Sequence, residues 1–108
     1  MRLVSIDFVN PPETPVLLGK RGDNRMAVLQ FYVRDIIAQL GPEGQIALHL
    51  KPDADGGQTL VALQNNGHHA SWCVSRGVTE KAGSGRLWLS YRNGGQLVRT
   101  SSIRFVVK

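Results

Sequence analysis

Apolar residues recur at every second position along most of this chain. Ala27, Leu29, Phe31 and Val33 alternate with Met26, Val28, Gln30 and Tyr32. Ile46, Leu48 and Leu50 alternate with Gln45, Ala47, His49 and Lys51. Leu87, Leu89 and Tyr91 alternate with Arg86, Trp88, Ser90 and Arg92, and Ile103, Phe105 and Val107 with Ser102, Arg104, Val106 and Lys108. A period of two puts successive side chains on opposite faces of an extended strand, so each run predicts a strand with one face inside and one outside. The run from Met26 is the least clean, because Met26, Val28 and Tyr32 make its second face apolar too.

Turn residues separate the runs. Asn10-Pro11-Pro12 and Thr14-Pro15 divide an N-terminal strand from a short one at Val16-Leu17-Leu18. Loops are predicted at Gly19 to Asn24, Gly41 to Gly44, Pro52 to Gly57 and Asn65-Asn66-Gly67. Breaks every 8–14 residues or so match an all-β sandwich or barrel. One segment dissents. In Val33 to Leu40, the residues Ile36, Ile37 and Leu40 would share a helical face, with Gly41-Pro42 as the stop. With long helices absent elsewhere, irregular or strand structure is the favoured reading.

Asn93-Gly94-Gly95-Gln96 predicts a hairpin. A two-residue Gly94-Gly95 turn would pair odd positions with even ones, setting the apolar face of one strand against the polar face of the other. A three-residue loop or a bulge restores the match, and the three-residue loop is the expected solution.

Composition narrows the class. With 108 residues the chain forms one domain, 1–108, large enough for a core without staples. A single cysteine, Cys73, excludes an internal disulfide. No apolar run approaches the ~20 residues of a membrane span. Met1 to Asp7 carries no secretory signal. The formal charge is +5, from 13 basic and 8 acidic residues. Nine of the 13 are arginines, and apart from Lys20-Arg21 they are scattered singly. Without a basic block, nucleic acid is a disfavoured partner.

Short motifs carry little chemistry. Arg21-Gly22-Asp23 spells an adhesion tripeptide, yet Gly-Asp is ordinary turn chemistry. Asp53-Ala54-Asp55-Gly56 opens like a calcium loop, but Gly57, Gln58 and Gln64 break the pattern. His49, His68, His69 and Cys73 lack metal-ligand spacing, and adjacent histidines on a strand face opposite ways. Gly83-Ser84-Gly85 is not a nucleotide fingerprint, and no base and orienter accompany Cys73 or a serine. The expectation is a protein with no catalytic residues, metal or cofactor. Trp72 is expected in the core. Trp88 should point outward, because Leu87 and Leu89 claim the inside. Trp88 with Arg86 and Arg92 has the composition of a protein–protein hot spot. An outward indole also suits sugar stacking, and another part of the same domain could instead cover this face.

The order of these elements resembles a known family. The residues that carry the resemblance are Pro15 to Leu18, then Gly22-Asp23-Asn24-Arg25 leading into Val28 to Phe31. Thr79 to Tyr91 and Val98 to Val107 complete it. The chain is similar to the N-terminal immunoglobulin-like domain of phage baseplate upper proteins and related minor tail structural proteins. That resemblance implies an all-β, immunoglobulin-like antiparallel β-sandwich of about 7–9 short strands. It implies a virion module of the phage tail, made in the host cytoplasm, that forms a homo-oligomer, a trimer in preference. Its expected partners are other tail or baseplate proteins. The alternatives are a carbohydrate- or host-surface-binding sandwich and a capsid decoration protein.

Overall fold

The computed structural model describes residues 1–54 and 57–108. Asp55 and Gly56, in the loop read as Pro52 to Gly57, lie outside the described residues. The described chain forms nine strands and two short helices. In order they are β1 (Arg2–Ile6), β2 (Val16–Gly19), β3 (Ala27–Tyr32), α1 (Arg34–Leu40), β4 (Gln45–Pro52) and β5 (Thr59–Leu63). There follow β6 (His69–Cys73), α2 (Arg76–Thr79), β7 (Gly83–Asn93), β8 (Gln96–Arg99) and β9 (Ile103–Val107).

These strands make an all-β sandwich of two sheets. One sheet is ordered β1-β3-β6; the other runs β2-β9-β7-β4-β5, with β8 paired to β7. The alternating positions dictate what lies between them. Leu29 and Phe31 of β3, Leu48 of β4, and Leu87, Leu89 and Tyr91 of β7 are fully buried, and Ile103, Phe105 and Val107 of β9 are nearly so. Burying each large side chain of this kind contributes about 1.5–3 kcal/mol, which makes this inner layer the main source of stability. Trp72 lies in the core, as expected, although its strand β6 is at the edge of the smaller sheet.

Not every pairing is antiparallel. β1 lies parallel to β3, and β2 parallel to β9. In each pair the chain reaches its neighbour through other elements rather than a hairpin, which is what a parallel neighbour requires.

Two local expectations are corrected. Residues 34–40 form helix α1 instead of irregular or strand structure. Ile36 and Ile37 are buried on its inner face and Leu40 packs against the core. Gly41, at φ 89°, ends the helix in a left-handed conformation, and its N–H donates to the Ile37 carbonyl at 2.8 Å. The helix end is held from β7, where the Tyr91 hydroxyl donates to the Gly41 carbonyl and Asn93 Nδ2 donates to that of Leu40. Those contacts are remote in sequence, so periodicity over eight residues could not reveal them.

The hairpin closes through a two-residue turn, not a three-residue loop. Asn93 pairs with Gln96 and Tyr91 with Val98. The mismatch this creates is repaired downstream. Thr100 still meets Leu89 in the hairpin register, its N–H donating to the Leu89 carbonyl at 2.9 Å. Its Oγ1 accepts the Leu89 N–H at 3.0 Å. By Ile103, which pairs with Leu87, one extra residue has entered the strand. This bulge returns Ile103, Phe105 and Val107 to the core face.

Candidate interaction face

The larger sheet has one face in the core and one facing outward. On the outer face β7 presents Arg86, Trp88, Ser90 and Arg92, and β4 presents Gln45, Ala47, His49 and Lys51. Register sets which of them meet. His49 lies directly across from Trp88, and Ala47 from Ser90. On the other side of β7, Ser90 is paired with Arg99 and Arg92 with Leu97.

Trp88 is therefore held from both sides. The His49 ring stacks on it at 5.1 Å between centroids and 8° between planes. From β8, the Arg99 guanidinium carbon sits 4.5 Å from the indole centroid, a cation–π arrangement. His49 is itself fixed. Its Nε2 lies 2.8 Å from Ser90 Oγ and its Nδ1 3.0 Å from Gln58 Nε2. With the Gln58 amide nitrogen donating to Nδ1, the matching tautomer carries its proton on Nε2, toward Ser90; the opposite amide orientation matches the other tautomer. Burial, and then the nearby charge of Arg99, hold the His49 pKa below its ordinary value. The ring stacked on Trp88 is thus a neutral imidazole near pH 7.

Around this stack runs an open groove of about 630 Å³. Leu60 and Leu97 stand on opposite sides of it, 63% and 58% exposed. Arg92 and Arg99 line it, and among the described residues none of its lining is acidic. The structure brings Trp88 and Arg92 to this groove, as the sequence placed them. Arg86 shares the face but lies beyond the groove, in register with Lys51 and Arg104. There Asp53 accepts from Arg104 in a bidentate ion pair and from Ser84 at 3.1 Å. Its carboxyl is held below the usual range chiefly by the Arg104 hydrogen bond.

His49 and Arg99 were absent from the sequence-derived surface. The alternation of β4 does place His49 outward, but only the register against β7 sets it on Trp88. The remaining motifs have local duties. The Asp23 carboxylate accepts the Lys20 N–H at 2.9 Å, and the Gly22 N–H donates to the Thr79 carbonyl at 2.9 Å. The Arg21-Gly22-Asp23 loop is accordingly pinned to α2. His69 packs edge-on against Tyr32. Among the described residues no group of three His, Cys, Asp or Glu side chains could hold a metal ion.

The fold belongs to the class of all-β, two-sheet sandwiches. Within that class it is similar to the N-terminal domain of phage TP901-1 ORF48, with a TM-score of 0.61 and 10% identity. The match spans 99% of this chain and 97% of that one. The all-β two-sheet sandwich implied by the family resemblance is thus observed, with the β1–β3 and β2–β9 pairs parallel where an antiparallel arrangement was expected, and the matching domain is a phage protein's. No family model matches the sequence, and no curated protein matches it significantly.

Proposed function

We propose that this chain is a non-enzymatic structural module of a bacteriophage virion. In this reading it is a tail or baseplate assembly domain that forms a homo-oligomer and anchors other tail or receptor-binding proteins. The observation that carries the reading is the end-to-end similarity to the phage TP901-1 ORF48 domain. The outer face of the larger sheet supports it. Trp88 and Arg92, with Arg86 at the margin, form the interaction surface, and His49, Arg99, Leu60 and Leu97 extend it. An aromatic residue with arginines and exposed leucines fits a protein interface better than solvent. It also favours docking over sugar binding. A sugar stacks on an open aromatic face, whereas the indole of Trp88 is covered by His49 and by Arg99.

Size-exclusion chromatography with light scattering tests the assembly. A trimer, or a stable complex with another virion protein, is expected; a strict monomer that binds no virion protein overturns the reading. Immunogold labelling of particles separates the tail from the capsid, and label on the capsid shell favours a decoration protein.

A further inference from the structure

The groove beside Trp88 also carries information about what fills it. Among the described residues its charge has one sign. Arg92 and Arg99 are exposed at its margins, and no described carboxylate lines it. The one ion pair among the described residues, Asp53 with Arg104, lies outside the groove. Arg99 sits with its guanidinium carbon 4.5 Å from the Trp88 ring centroid and is exposed. A guanidinium edge is a planar fork that fits a carboxylate. Two exposed leucines flank the groove, Leu97 across from Arg92 and Leu60 on the far side, with Ser90, Gln45 and Gln58 among its polar lining.

We infer that the groove over β5, β4, β7 and β8 takes an acidic, leucine-rich segment of a partner protein, with carboxylates on Arg92 and Arg99 and apolar side chains on Leu60 and Leu97. The inference rests on the reading of this face as the docking surface, and it specifies the partner's chemistry. A nucleic-acid strand would match the charge. It would also need an aromatic face for its bases, and at Trp88 His49 and Arg99 already compete for that stacking. A neutral glycan would leave the arginines without partners.

The test uses the whole chain and blocked peptides of defined composition. One repeats Glu-Glu-Leu-Leu; the others replace Glu with Gln or with Lys. Binding is followed by calorimetry and by Trp fluorescence, with Trp88→Phe to remove the contribution of that residue. At low salt the Glu peptide should bind about tenfold more tightly than the Gln peptide, and the advantage should shrink as salt is added. The double variant Arg92→Glu/Arg99→Glu should lose that preference and gain one for the Lys peptide. A swapped preference cannot arise from misfolding. Equal binding of Glu and Gln peptides overturns the inference, as does tighter binding of oligothymidylate or cell-wall oligosaccharide. Separately, incorporation of the double variant into particles reads the docking face itself. If it is excluded from particles while Glu and Gln peptides bind alike, the acidic partner is wrong and the face stands. If it is incorporated normally, the face is wrong too.

Discussion

Tyr91 is the best placed side chain for weighing a single hydrogen-bonding group. It is fully buried, its oxygen accepts the Gly44 N–H at 2.8 Å, and its hydroxyl donates to the Gly41 carbonyl. That one phenol ties the end of α1 to the start of β4. Gly44 leaves it room, since a Cβ there would lie 2.5 Å from both the Tyr91 ring and the Arg92 carbonyl oxygen. Tyr91→Phe should cost about 1–3 kcal/mol, because it leaves two backbone groups without their partner. Urea denaturation measures this, and an unchanged midpoint would contradict it. His49 offers a different observable. Its folded pKa lies below the unfolded value of 6.5, so between the two the unfolded chain binds more protons. Its contribution is therefore complete above about pH 6.5 and lost as pH falls through the folded value. Urea midpoints should rise with pH across that window, and His49→Gln should flatten the rise. The same slope in both proteins would contradict the assignment. Asp53 acts separately, at carboxylate pH, because its pKa is lowered from 3.8. At this scale the sequence revealed which way Trp88 points and nothing of what touches it. Parity assigns a face, whereas contact depends on the register between β4 and β7.

The hairpin and the first helix show where element-level reading stops. The parity argument correctly required one extra residue between β7 and β9 and placed it in the turn. The chain places it after Thr100 instead, because Gly94-Gly95 already makes a tight turn. Only Gly94, at φ 62°, is in the left-handed range, which is the φ pattern of a type II′ turn. The two glycines should thus respond differently. Gly95→Ser should be neutral or stabilise the fold by about 0.4–1 kcal/mol, by restricting the unfolded chain. Gly94→Ser should destabilise it. Equal effects on the thermal midpoint would rule out this turn. Helix α1 was legible as an apolar pattern and misread in type. Its seven residues fall short of the length at which a helix holds by itself. Packing of Ile36 and Ile37, together with the contacts from Tyr91 and Asn93, decides the matter.

At the scale of the whole molecule, alternation gave the all-β class, since inner positions on β3, β4, β7 and β9 are the ones that recur, and left sandwich and barrel both open until the resemblance chose the sandwich. The parallel placement of β1 and β2 was not legible, because alternation is the same in either direction. The charge of +5 takes on meaning only when distributed over the surface. Arg104 is committed to Asp53, while Arg92 and Arg99 border a groove that no described carboxylate lines. The central claim is that this outer face is covered in the assembled particle. Hydroxyl-radical footprinting of the free chain and of the particle tests it most directly, because Trp88, Leu60 and Leu97 all react and Leu3 on β1 is an exposed internal control. Assembly should protect Trp88, Leu60 and Leu97 severalfold more than Leu3. Unchanged reactivity at Trp88, with protection confined to β1, would contradict the claim.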